Sequence, residues 1–268
     1  MEPLAGASGG TSEGSGGTSE EELRARRSLS FGSRAAEYAE HRPDYPGAAV
    51  DWALEPVRDR RPLRVLDLAA GTGKLTASLV GRADEVTAVE PHPQMRAELG
   101  RRVSGVVALD GTAERIPLPD GSVDAVLVAQ AFHWFDAQPA LREIARVLAP
   151  GGVLTAIWNL EDDRVEWVAA LSRIQEIGPS YEKHHTRGLP VHESFAPSET
   201  RDFPHSHHRT IDSLVRTVGT YSLALIRDPE DRATLFERIR SYLRSRPETA
   251  GGEFDFPLVT HAVRMVRR

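Results

Sequence analysis

VLDLAAGTGKLT, residues 65–76, is the most informative stretch of the chain. Val65, Leu66 and Leu68 form a short apolar run broken by one acid, Asp67, and the run closes on Gly71-Thr72-Gly73. Glycines permit backbone conformations and close approaches that a Cβ forbids. A helical pattern at 74–82 follows. Strand, bare turn and helix in that order suit a bound ligand, because the first N–H groups of a helix have no partner within it. The phosphate-loop pattern GxxxxGK[ST] needs a glycine where Leu68 stands and a hydroxyl where Leu75 stands. The dinucleotide pattern GxGxxG fits Gly71 and Gly73 but meets Thr76 at its third glycine.

On either side of this turn, apolar runs alternate with amphipathic stretches. Strands are expected at 85–90 (EVTAVE), 106–112 (VVALDGT), 123–130 (VDAVLVAQ) and 152–159 (GVLTAIWN), and helices at 91–103 and 137–148. Residues 123–130 are almost wholly apolar, as in a strand covered on both faces. The last helix stops at Ala149-Pro150-Gly151-Gly152, which is turn chemistry. Strands and helices alternating at this spacing imply βαβ units and a parallel sheet. After Asn159 the rhythm breaks. Residues 161–200 are polar and irregular, with a helix expected at 165–177. Asp212 is read as the cap of a helix reaching 225, and Asp228-Pro229-Glu230 opens another that reaches 243. EFDFPLVTHAVRMV, residues 253–266, is a late strand, and Pro257, which is tolerated at edges or bulges because it cannot donate to a ladder, places it near a sheet edge.

Composition narrows the function classes. The chain has 268 residues with 33 Lys+Arg against 39 Asp+Glu, a net charge of −6. Mild acidity argues against a surface built for phosphate backbones, so no nucleic-acid partner is expected. Cysteine is absent, which excludes disulfides, Cys-ligated zinc, iron–sulfur clusters and thiol nucleophiles. His184, His185, His192, His205, His207 and His208 come without a carboxylate motif and are read as exposed residues, not as a metal site. No apolar run approaches the ~18 residues of a membrane helix, and MEPLAGASGG lacks the regions of a secretory signal. A cytoplasmic protein without a membrane partner is expected. Residues 1–27 repeat GGTSE twice and are rich in Gly, Ser and Glu. They cannot offset their ordering entropy and are expected to form a disordered tail. Residues 28–268 then form one domain.

Asp67-Leu-Ala-Ala-Gly71-Thr-Gly73 resembles the acid-x-Gly-x-Gly-x-Gly turn of class I S-adenosylmethionine-dependent methyltransferases, with Ala69 in place of the first glycine. Val89-Glu90-Pro91 is similar to their acidic end of strand two. Gly111-Thr-Ala-Glu114, followed by Ile116-Pro-Leu-Pro-Asp-Gly-Ser-Val-Asp124, is similar to the segment beside adenine. Gln130-Ala-Phe-His-Trp-Phe135 and Leu148-Ala-Pro-Gly-Gly152 resemble the end of strand four and the turn before strand five. The matches come in the family's order over residues 31–159. Upstream, residues 31–46 look like the leading helix of a branch with a type 11 methyltransferase domain, similar to trans-aconitate methyltransferase, and residues 210–221 resemble a helix after the sixth strand there.

The resemblance implies a Rossmann-like α/β fold: a seven-stranded, mostly parallel sheet with an antiparallel edge strand and helices on both faces. It divides the domain into a cofactor-binding core (28–159), a substrate lid (160–200) and C-terminal helices and edge strands (201–268). The implied cofactor is S-adenosyl-L-methionine. Glu90 would bind its ribose hydroxyls, and Asp67 would orient the turn or meet the amino group. Ala69, Gly71, Thr72 and Gly73 would admit the amino-acid end. Pro91 and Met95 would flank adenine, while Thr112, Ala113 and Glu114 border its edge. Gln130 and Ala131 would lie under the methyl, and Tyr38 and Arg42 would close the pocket, Arg42 near the carboxylate. Two departures carry expectations. Ala69 in place of glycine should be tolerated if its backbone keeps φ < 0. Thr112 stands where many members carry Asp, so adenine's amino group would be read by backbone or water. His133 follows strand four and titrates near neutral pH, which makes it the candidate base; Trp134 and Phe135 would wall the site. No Asn-Pro-Pro-aromatic motif follows strand four, which favours a small-molecule acceptor. The expected assembly is a monomer or homodimer. A nicotinamide oxidoreductase, with Glu90 on the ribose, and a catalytically idle cofactor-binding module are the competing readings.

Overall fold

The computed structural model describes residues 43–176, 188–219, 221, 224 and 227–268. The tail, Tyr38, Arg42, His184 and His185 lie outside those residues. Seven strands form one sheet: β1 (Arg64–Leu68), β2 (Glu85–Val89), β3 (Val107–Leu109), β4 (Val123–Ala129), β5 (Leu148–Glu161), β6 (Glu199–Thr210) and β7 (Glu253–Val266). Their order is β3-β2-β1-β4-β5-β7-β6. β1 to β5 pair in parallel, and β7 is antiparallel to both β5 and β6.

Side chains alternate between the faces of a strand, so each apolar run feeds two cores. Leu66, Leu68, Val126, Val128, Leu154 and Ala156 pack on one face against α4 (Ala137–Val147), whose Ala140, Leu141, Ile144 and Ala145 lie three and four residues apart. Val65, Ala125, Leu127, Val153 and Ile157 pack on the other face against α1 (Gly47–Leu54) and α2 (Lys74–Leu79). α3 (Pro93–Arg102) follows β2 and buries Met95 and Leu99. A separate cluster joins α5 (Glu166–Gln175), α6 (Ile211–Gly219) and α7 (Pro229–Ser245) to Phe254, Phe256 and Leu258 of β7.

Two sequence expectations are corrected here, the start of β5 and the cap of α6. β7 lies near the edge, as expected, with β6 outside it. Pro257 is tolerated because its carbonyl accepts from the Asp162 N–H at 3.1 Å, just past the last β5 pair, Glu161 with Leu258. A residue's N and O point to one side of a strand, so the missing donor falls where the β5 ladder has already ended. β5 begins at Leu148, earlier than expected, and the turn-like Pro150-Gly151 is absorbed as a register shift between Val123 and Ala125, with Gly151 at φ +68°. The cap of α6 is Thr210, not Asp212. The Thr210 hydroxyl accepts from Ser213 N–H at 3.1 Å, and the Ser213 hydroxyl accepts from Thr210 N–H at 3.0 Å. That reciprocal pair satisfies two amides together, as in a capping box. Asp212 instead pairs with Arg240.

Candidate active site

β1 ends at Leu68, and the chain then takes three left-handed residues in alternation: Ala69 at φ +58°, Gly71 at +58° and Gly73 at +86°. Ala70 N–H donates to Val89 O at 3.1 Å, which ties the turn to the end of β2. Gly73 N–H donates to Ala70 O, and Gly73 O then accepts the first bond of α2 from Ala77. Gly73 is required twice over, because a Cβ there would also fall 2.9 Å from Leu99 Cγ on α3. At Gly71 a Cβ would meet only Met95 Sδ, at 3.9 Å. The backbone at Gly71 is therefore bare and open above, with Met95 as its nearest wall. Ala69 does not meet the condition φ < 0 under which it replaces glycine without strain. The turn's hydrogen bonds hold an alanine in a conformation that disfavours a Cβ by about 1–2 kcal/mol.

The two acids stand on either side of this turn. Asp67 is fully buried on β1, with Oδ2 accepting from the Thr76 hydroxyl at 2.6 Å. Its Oδ1 is buried without a hydrogen-bond partner among the described residues. Burial pushes its carboxyl up to about 7, against the opposing bond from Thr76, and the nearby Glu90 charge adds to the rise. Glu90, 6% exposed, follows β2. Its Oε2 accepts from Gly71 N–H at 2.9 Å and its Oε1 from His92 N–H at 2.8 Å. Burial raises its carboxyl above the usual range, opposed by those two amide bonds. Each oxygen holds one donor and keeps a lone pair for another.

Beside the turn a cleft is lined by Tyr45, Gly71, Lys74, Gln130 and Asn159, with Ala69 and Thr72 in its wall. Gln130 is itself left-handed, at φ +57°. Its N–H donates to Ile157 O at 2.9 Å and its side-chain Nε2 to Asn159 O at 3.0 Å. The Asn159 amide donates to Asp44 O at 3.1 Å, and Lys74 Nζ bonds Asp44 Oδ1 at 2.7 Å. The segment Pro43–Tyr45 is thereby strapped across the mouth.

The structure thus gathers Asp67, Ala69, Gly71, Thr72, Gly73, Glu90, Met95 and Gln130 at the carboxyl ends of β1, β2 and β4. Other candidates are engaged elsewhere. Ala113 is buried in the core, and the Glu114 carboxylate accepts from Asp136 N–H at 2.9 Å, at the start of α4. Thr112 is exposed and pairs through its backbone with Arg115. Pro91 is exposed, and its carbonyl accepts from Arg96. Ala131 precedes a single 3₁₀ turn, Phe132–Trp134, and packs on the core. His133 is exposed in that turn, 4.8 Å between ring centroids from Trp134. Histidines read as exposed prove otherwise: His192 is buried, with Nδ1 accepting from Ser194 N–H, and His205 and His207 are half-buried. Tyr45, Lys74 and Asn159 are new to the site. Lys74 directly follows Gly73 and Asn159 sits at a strand's carboxyl end, which were the available signals.

Similarity to known proteins gives the family. A methyltransferase-domain family profile matches residues 66–156. An uncharacterised methyltransferase of Mycobacterium tuberculosis is 42% identical over 238 residues, covering 88% of this chain and 95% of its own. A methyltransferase-like protein of Schizosaccharomyces pombe is 32% identical over 222 residues, covering 81% of this chain and 87% of its own. A solved putative type II methyltransferase from Anaeromyxobacter dehalogenans shares the fold at a TM-score of 0.66 with 24% identity, over 84% of this chain and 97% of that one. The span of the profile includes the glycine turn, both acids and the end of β4, and the full-length relatives carry the match through the C-terminal half: the chain belongs to the methyltransferase family.

Proposed function

We propose that this methyltransferase takes its methyl group from S-adenosyl-L-methionine and passes it to a small-molecule acceptor over the carboxyl ends of β4 and β5. The observation that carries the reading is the 2.9 Å bond from Gly71 N–H to Glu90 Oε2. It makes the bare turn and the acid two lips of one crevice, which is what an adenosyl group with an amino-acid tail requires. The residues fit such a group. The free lone pairs of Glu90 suit two adjacent ribose hydroxyls. The Oδ1 of Asp67, without a partner among the described residues, suits a cationic amino group, directly or through water. The open backbone at Gly71 leaves room beside it, and Met95 offers a soft apolar wall for a purine.

S-adenosyl-L-methionine supplies an activated methyl on a sulfonium, so the chain's own task is alignment in a dry cleft. Gln130, held by two bonds to β5, sets the floor where β4 ends. Lys74, Asn159 and Asp44 hold Pro43–Tyr45 over the opening and exclude water. His133 and Trp134 wall the acceptor side, where His133 is a solvent-exposed candidate base. Tyr38 and Arg42, outside the described residues, are proposed as further cofactor-binding residues, as the resemblance implies. The test is calorimetric titration with S-adenosylhomocysteine and separately with NAD. Binding of the first and not the second is expected; tight binding of NAD alone overturns the reading.

A further inference from the structure

Asn159 meets the strap through its side-chain amide, and that amide is itself held from the outer strands. Asn159 on β5 is the direct cross-strand partner of Thr260 on β7, and Thr260 is that of Phe203 on β6. Cross-strand partners share a face of the sheet, and so do residues two apart on one strand. His205, two residues beyond Phe203, therefore stands on the same face as Asn159 and Thr260. That face is the one beside the cleft. Phe203 and Ile157, which is two residues before Asn159, pack in the cluster with α1, the helix that follows the strap. Along this face two contacts run inward. His205 Nε2 lies 3.0 Å from Thr260 Oγ1, and Thr260 Oγ1 lies 2.5 Å from Asn159 Oδ1.

The strap sets the direction of each bond. The carbonyls of Pro43 and Asp44, at 3.4 and 3.1 Å, can only accept, so Asn159 turns its NH2 toward them. Asn159 Oδ1 also only accepts, so the Thr260 hydroxyl donates to it. A hydroxyl has one proton, so the Thr260 oxygen accepts from His205, and Nε2 of the imidazole carries a proton. Donation then runs one way across three strands, from His205 to Thr260 to Asn159 to Asp44. Thr260 is fully buried, which leaves no bulk water to replace a lost partner. The strap's other anchor is separate: Lys74, directly after the glycine turn, reaches the Asp44 carboxylate at 2.7 Å.

We infer that His205 is a positioning residue of the transfer: through Thr260 it fixes the Asn159 amide, and so holds Pro43–Tyr45 closed over the methyl donor. The inference rests on the methyl-transfer reading above. His205 acts through Asn159, which lines the cleft with Pro43 and Tyr45. Without the imidazole N–H, the buried Thr260 oxygen lacks a donor. The hydroxyl and the amide are then free to reorient, and the strap keeps only its anchor at Lys74. The donor leaves faster as a result.

The test begins with ligand-free, full-length protein labelled with nitrogen-15. Long-range proton–nitrogen spectra are expected to show a proton on His205 Nε2; a bare Nε2 overturns the inference. Release of tritiated S-adenosylhomocysteine into excess unlabelled ligand is then timed. His205→Phe and Thr260→Val are each expected to speed release about tenfold. His205→Gln, which keeps an N–H donor on that side chain, should restore most of the wild-type rate. The variant with both His205→Phe and Thr260→Val should release no faster than either alone, because both cut one chain. Lys74→Met added to His205→Phe should speed release further, because it cuts the second anchor. Unchanged release in both single variants, or effects that multiply between His205→Phe and Thr260→Val, overturns the inference. Loss of packing alone would multiply in that way and would not be rescued by glutamine. Wild type that binds no S-adenosylhomocysteine is a different outcome: it removes the methyl-donor reading itself, while the spectrum still decides the direction of the chain.

Discussion

Ala69 occupies a left-handed position that glycine would fill without strain. Ala69→Gly is therefore expected to raise stability by about 0.5–1 kcal/mol, the relieved strain less the extra unfolded-state entropy of glycine. A lower denaturant midpoint would show that the turn does not hold φ > 0. Glu90 is bonded to two backbone amides at the mouth of the crevice. Glu90→Ala should weaken S-adenosylhomocysteine binding by about 1.5–3 kcal/mol in calorimetry, as for lost charged hydrogen bonds; unchanged affinity removes it from the site. Asp67 has a pH signature. Its folded carboxyl is raised to about 7 from an ordinary 3.8, so the folded state holds the proton more tightly than the unfolded chain. Its contribution is fully present below pH 4 and is lost as pH rises through 7. The melting temperature of ligand-free wild type, minus that of Asp67→Asn, should thus fall between pH 5 and pH 8. A constant difference would mean an unperturbed carboxyl.

The cap of α6 belongs to the scale of elements. Thr210→Ala should cost about 1 kcal/mol through loss of the side-chain acceptor for Ser213 N–H, read as a shift in the denaturant midpoint; Asp212→Ala, which removes only a surface ion pair, should cost less. This element also shows where pattern reading stops. Asp212 has cap chemistry one residue inside the true helix, and a side-chain preference fixes a boundary only to within a turn. The strands β1, β2 and β4 were legible because a parallel strand with covered faces must be an apolar run. β6, ETRDFPHSHHRT, was implied by the resemblance, which sets residues 210–221 after a sixth strand, but its own residues did not read as one. It is the outermost strand, and much of its surface faces water. Nothing in its composition demands a sheet.

For the whole molecule, removing residues 1–28 is expected to leave melting temperature and S-adenosylhomocysteine affinity unchanged, because GGTSE repeats offer no apolar surface to bury; a fall in either would give that segment a role. The glycine turn, its two acids and the alternation of strands and helices were readable from residues 65–159, because backbone freedom and periodic burial are local properties. They carried the class of fold, the family and the most specific part of the site. Three-dimensional pairing settled the remainder. It set Ala69 in a left-handed turn, drew Ala113 into the core and turned Glu114 toward α4. It placed β7 inside β6, which brings Asp202 to His261 across 59 residues of chain. It also brought Asn159 within reach of Asp44 across 115. Such meetings depend on which strands lie side by side, and that is decided by the sum of all burial in the sheet, not by any stretch read alone.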